Sequence, residues 1–158
     1  MSHDTAMDAQ ITSETEQSVV QRLTIAEPNW YEQLTDEQKM EVMWDWGLWA
    51  RPKQLAPDGD WRVWLILAGR GFGKTRSGAE WIRQVVTAGE AQRIALVGAT
   101  AADVRDTMIE GESGLLKVFP PHQRPRYEPS KRRITFHNGA QGTAFSADEP
   151  DRLRGPNH

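Results

Sequence analysis

Cysteine is absent from the sequence. Its absence excludes a disulfide scaffold, a thiol nucleophile and any cysteine-built zinc or iron–sulfur site, and it suits a reducing cytoplasm, the expected location. Histidine is scarce too. His3, His122, His137 and His158 lie at no ligand spacing and read as surface or terminal residues. Long hydrophobic runs are also missing. The longest unbroken apolar stretch, residues 63–68, is far too short for a membrane-spanning helix, so no membrane partner is expected. The first residues, with Asp4 and Asp8, lack the basic and apolar regions of a secretory signal.

What remains is 158 residues with a formal net charge of −3, enough for one modest globular domain. The charge is unevenly placed. Residues 1–57 carry ten acids and four bases, whereas residues 58–158 carry fifteen bases and twelve acids. A mildly basic body permits a nucleic-acid partner without requiring one.

Three segments follow from composition and periodicity. Residues 1–34 read as an acidic, largely disordered tail, because its first 18 residues hold too few apolar side chains to offset chain entropy. Residues 35–57 read as an amphipathic helix, about 36–50, followed by a linker. Thr35 stands three residues before Gln38 in a capping pattern, Met40, Met43, Trp44 and Leu48 recur at helical spacing, and Arg51-Pro52 ends the run.

Residues 58–158 predict an α/β domain. Trp61-Arg-Val-Trp-Leu-Ile-Leu-Ala68 has the composition of a strand buried on both faces. A helix is expected over about 74–88, with Ser77, Gly78, Trp81, Ile82 and Val85 on its apolar face and Gly89 closing it. Arg93-Ile-Ala-Leu-Val-Gly98 repeats the strand signature, which completes a βαβ unit and implies a parallel sheet with flanking helices. A further helix over about 101–110, a proline-rich loop over 119–125 and a β-hairpin turning at Asn138-Gly139 complete the pattern.

Between the first strand and its helix lies Ala68-Gly-Arg-Gly-Phe-Gly-Lys-Thr75. It matches the phosphate-binding loop G-x-x-x-x-G-K-[ST] at every fixed position but the first, where alanine stands for glycine. Strand, loop and helix in this order aim backbone N–H groups and a helix N-terminus at a polyphosphate. Gly69, Gly71 and Gly73 permit positive φ and a close approach of bare backbone. Lys74 supplies an ammonium for the β- and γ-phosphates, and the Thr75 hydroxyl can ligate Mg²⁺. Arg70 adds a planar donor fork. The expected nucleotide-binding set is therefore Gly69, Arg70, Gly71, Phe72, Gly73, Lys74 and Thr75, with Lys74 and Arg70 as the catalytic candidates, Thr75 as the metal ligand, and ATP with Mg²⁺ as cofactors.

Around that loop the residues resemble a known family. Trp49-Ala-Arg-Pro-Lys-Gln54, the stretch from Trp61 through Thr75, Gly78-Ala-Glu-Trp81, Val97-Gly-Ala-Thr100 and Asp103-Val-Arg-Asp-Thr-Met-Ile-Glu-Gly111 are similar to the large terminase subunit of tailed bacteriophages and gene transfer agents. The resemblance spans about residues 44–158. It implies the N-terminal P-loop ATPase, of the helicase-like NTPase kind, of a motor that drives double-stranded DNA into a procapsid. The partners it implies are DNA, a small terminase subunit and the capsid portal. It also implies that Gln54 reads adenine, against the alternative of a solvated loop glutamine, and that Arg70 senses the γ-phosphate, against a salt bridge to a neighbouring acid.

The family pattern continues into a strand bearing paired Walker B acids, and no such strand follows in this sequence. Asp148-Glu149, with Pro150 directly after, reads as a turn. The domain is thus expected to be cut before its catalytic acids, so that the chain alone binds nucleotide without turning it over. Two alternatives stay open, a small P-loop kinase or other NTPase with an unusual complete site, and a truncated, non-enzymatic interaction module. The basic strip Arg124, Arg126, Lys131, Arg132 and Arg133, with Tyr127 among them, either tracks a phosphate backbone or is a charged hairpin edge facing water.

Overall fold

A computed structural model describes residues 17–148. The chain divides after Leu67 into two compact units, each described by itself.

In the first unit, helix α1 (Val19–Ala26) begins at Ser18, whose hydroxyl accepts from Gln21 N–H while the Gln21 side chain accepts from Ser18 N–H. That reciprocal cap satisfies two otherwise orphaned donors, and it corrects part of the expected disordered tail. The Ser-x-x-Gln signal was present in the sequence. Residues 1–16 lie outside the described residues.

The helix expected over 36–50 is two helices, α2 (Asp36–Trp44) and α3 (Trp46–Trp49). Thr35 and Gln38 form the expected capping box. Asp45, at ψ 96°, breaks the run because its carboxylate accepts from Gly47 N–H at 2.9 Å and so caps α3. No residue of α2 is buried, and Met40 and Met43 are about half exposed. Among the described residues the buried apolar side chains of this unit are instead Val20, Trp46 and Ala50, with α1 packed on α3.

The segment 61–68 forms no strand. Val63, Leu65 and Leu67 are 82%, 70% and 85% exposed, so the expected doubly buried strand is an irregular segment with alternate apolar side chains in solvent. The predicted βαβ unit is therefore not formed. A strand requires a hydrogen-bonding neighbour, and no strand of the sheet pairs with this segment among the described residues.

In the second unit, helix α4 (Lys74–Thr87) leads to strand β1 (Arg93–Gly98). Thr100 then caps α5 (Ala101–Asp103), which widens into a π-helical turn over Val104–Ile109. The last helix, α6 (Leu115–Val118), precedes three short strands, β2 (Arg126–Glu128), β3 (Arg133–Thr135) and β4 (Gln141–Ser146). The sheet order is β1-β4-β3-β2, with β1 parallel to β4 and the other pairs antiparallel. The architecture is α/β, as expected, but the sheet is mixed rather than parallel. The parallel pair joins Arg93–Gly98 to the returning arm of the hairpin.

One sheet face carries the core. Leu96, Ile134 and Ala144 on the strands meet Val86, Val104, Ile109, Leu115 and Val118 from the helices, closed by Phe119 and Phe136. Gly142 sits opposite Ile134 in the register, and a Cβ there would collide with the Ile134 side chain. The hairpin turns as expected, with Gly139 at φ +88° and the Asn138 amide donating to Val86 O at 2.7 Å, which ties the turn to α4.

Candidate nucleotide site

Residues 68–75 and α4 belong to the second unit. Gly71 and Gly73 adopt φ of +82° and +93°, a region costly for residues with a Cβ. Their glycines are therefore required by the backbone, whereas Gly69 is not at positive φ and neither is Ala68. Alanine at the first motif position is thus compatible with the loop. Gly73 is the N-cap of α4 and Lys74 its first helical residue.

The loop is closed by its own lysine. Lys74 Nζ donates to Ala68 O and to Gly69 O, each at 2.8 Å, which uses two of the three N–H bonds of an ammonium. The first backbone bond of the helix runs from Ser77 N–H to Gly73 O at 2.9 Å. The Lys74 and Thr75 amides therefore have no acceptor inside the helix, and they lie at its positive end.

A cavity of about 450 Å³ opens on the loop. Arg70, Lys74 and Arg76 supply cations to its wall, and Asp106 and Glu112 supply acids. Asp106 is engaged by the Arg105 guanidinium at 2.6 and 3.2 Å, and that hydrogen-bonded cation holds its carboxyl below the usual carboxylate range. Arg70 forms no ion pair among the described residues. A second, mostly apolar cavity of about 640 Å³ starts from Lys74 and Thr75 and runs between Gly78, Ala79 and Ile82 of α4 and Leu96 and Val97 of β1. Thr75 borders both cavities.

Sequence reading missed part of the buried side of α4. Of the expected face, Ser77 is buried and Ile82 packs against the core, while Gly78, Trp81 and Val85 are half-buried, and the helix also buries Ala79, Glu80 and Val86. Glu80 is 1% exposed, and its two carboxylate oxygens are held by Arg76, at 2.6 Å, and by Arg83, at 2.7 Å. A buried carboxylate is tolerated only when paired this way. The signal was available, since Arg76 and Arg83 stand four residues before and three after Glu80, the spacings that share a helix face. Through Arg76, this cluster reaches the cavity wall.

Gln54 belongs to the first unit. It is 8% exposed, so it is not a solvated loop residue. Its Oε1 accepts from the Arg51 backbone N–H at 2.9 Å and from Arg51 Nε at 3.3 Å, capping the 3₁₀ turn Pro52–Gln54. These bonds engage its Oε1 within the turn. Asp148 is exposed and follows β4 in a turn, while Glu149 lies outside the described residues. No group of three His, Asp or Glu side chains capable of holding a metal occurs among the described residues. None of the described helices is long and apolar enough to cross a membrane.

No curated protein and no solved structure matches the chain significantly. The sequence model of the family described as "Terminase large subunit, T4likevirus-type, N-terminal" matches residues 65–158, more than half of the chain. The match begins just ahead of the glycine-rich loop, runs through α4 and the whole sheet, and leaves out Gln54. On that match the chain belongs to the family of N-terminal parts of phage terminase large subunits.

Proposed function

We propose that the second unit is the nucleotide-binding part of a DNA-packaging motor, and that Mg·ATP binds with its phosphates in the loop of residues 69–75. Lys74 is assigned to the phosphate charge, Arg70 to the terminal phosphate and the Thr75 hydroxyl to Mg²⁺. The observation that carries this assignment is the junction at Gly73. A left-handed glycine delivers the chain into a helix whose first residue is lysine and whose second is threonine, beside a cavity whose wall carries three cations and two acids. The donor set fits a polyphosphate, with backbone amides at a helix start, an ammonium, a guanidinium and a hydroxyl. Bound ATP would supply the free energy that the full motor couples to movement of double-stranded DNA. Gln54 carries no part of this proposal.

The metal assignment has its own test. Titration calorimetry of the chain with ATP should show tighter binding in Mg²⁺ than in EDTA, and Thr75→Val, which keeps the shape and removes the hydroxyl, should abolish most of that difference. Equal Mg²⁺ enhancement in both proteins would remove Thr75 from the metal site. AMP should bind weakly under either condition, because the loop addresses phosphates rather than the base.

A further inference from the structure

The sheet has a second face, and the pairing register defines what stands on it. Residues paired across strands share a face, and alternate residues along each strand belong to it. Arg93 pairs with Gln141, Gln141 with Thr135, and Thr135 with Arg126. One row across all four strands therefore reads Arg, Gln, Thr, Arg. The next row on the same face reads Ala95, Thr143, Arg133 and Glu128, and a third, on β1 and β4 alone, pairs an exposed Val97 with a buried Phe145. Arg93, Arg126, Arg133 and Gln141 are exposed, and Thr135, Thr143 and Glu128 are half-buried. The opposite face carries Tyr127, Ile134, Gly142, Ala144 and Leu96 against the core.

This register divides the basic strip seen in the sequence. Tyr127 packs on the core side and offers no stacking platform. Lys131 is tied to Glu128 at 2.9 Å, and Arg132 turns the chain at φ 52°. Arg126 and Arg133 remain exposed on this second face, where Arg93, far away in sequence, joins them. Glu128 is the one acid in the two rows. The Lys131 hydrogen bond holds its carboxyl below the usual range, so it is ionised at neutral pH and three arginines still outnumber it.

We infer that the arginine-bearing part of this face, through Arg93, Arg126 and Arg133 with the hydroxyl and amide donors between them, docks the phosphate backbone of double-stranded DNA. The inference rests on the motor assignment for the identity of the partner and on the register for the surface. Strands about 4.8 Å apart place Arg93 and Arg126 roughly 14 Å from each other. That span is close to the ~12 Å width of the major groove, so the two arginines can address the backbones flanking one groove. Thr135, Thr143 and Gln141 supply neutral donors of the kind that position phosphates without reading sequence.

Fluorescence anisotropy of the full chain with a labelled duplex, from low to moderate salt, tests this surface. Binding should be sequence-blind and weaken steeply with salt. The triple variant Arg93→Gln, Arg126→Gln, Arg133→Gln should reduce the log–log salt slope by about two to three units. Arg-to-Lys changes at the same three positions should largely keep it. A charge-matched control, Arg22→Gln, Lys39→Gln, Lys117→Gln, should leave the slope nearly unchanged. If the triple variant fails to fold, the single changes Arg126→Gln and Arg133→Gln, each in a short exposed strand position, should lower the slope by about one unit each.

An unchanged slope, an equal loss in the control, no duplex binding by the unmodified chain, or equally tight binding of polyglutamate would each overturn the proposal. Mg·ATP titration of the same proteins separates the two assignments. Loss of duplex binding with ATP binding intact indicts only the sheet face, and absence of ATP binding in the unmodified chain indicts only the loop.

Discussion

Lys74→Ala is expected to weaken Mg·ATP binding by about 10- to 100-fold, the loss of a charge-assisted contact worth roughly 1.5–3 kcal/mol. The substitution is well placed to be informative. Lys74 is exposed, and its ammonium closes the loop onto Ala68 O and Gly69 O. Alanine is a strong helix former at the first position of α4, so the fold should persist and the change should read out at the ligand. Isothermal titration with Mg·ATP measures it, with the melting temperature recorded on the same samples. Equal binding by both proteins would detach nucleotide from this loop.

Glu80→Ala is expected to destabilise the second unit by about 2–4 kcal/mol in urea denaturation. Removing one partner of a buried ion pair costs about 3–5 kcal/mol, because the remaining charge is left without compensation. Here the cost falls toward the lower end. Arg76 and Arg83 keep 34% and 16% of their side chains exposed, so each guanidinium can move toward water when the carboxylate is gone. Glu80→Gln keeps the shape and one acceptor, and should cost about 1–2 kcal/mol. A Glu80→Ala loss below about 0.5 kcal/mol would mean that the cluster contributes nothing to the fold.

The parts legible in the sequence are those fixed by local rules. Thr35 with Gln38 and Thr100 with Asp103 form caps from residues three apart. Asn138-Gly139 turns the hairpin, and Gly71 and Gly73 occupy the positive-φ positions that the loop motif requires. Strand β1 spans the six residues expected of it, since an apolar run between a helix stop and a capping threonine has few alternatives.

What failed depended on partners distant in sequence. Residues 61–68 have the composition of a buried strand, but composition measures the capacity to be buried, and pairing decides whether a strand forms. The mixed sheet was missed for the same reason, because nothing local tells Gln141–Ser146 to lie parallel to Arg93–Gly98. The face of α4 was read in part, at Ser77 and Ile82, but Glu80 was left out of it because a carboxylate is ordinarily exposed. Its two arginines made burial tolerable, and only their joint spacing reveals it. In the site, the loop was legible as a motif, whereas Arg76, Asp106 and Glu112 joined it through the fold.

The most direct test of phosphate binding by this loop is residue-resolved. In ¹⁵N–¹H correlation spectra of the full chain titrated with Mg·ATP, the largest amide shifts should fall on Gly69, Gly71, Gly73, Lys74 and Thr75. ADP should move the same set and AMP should move it little. Shifts concentrated outside residues 69–75, or a loop whose amides stay in place at saturating Mg·ATP, would contradict the assignment.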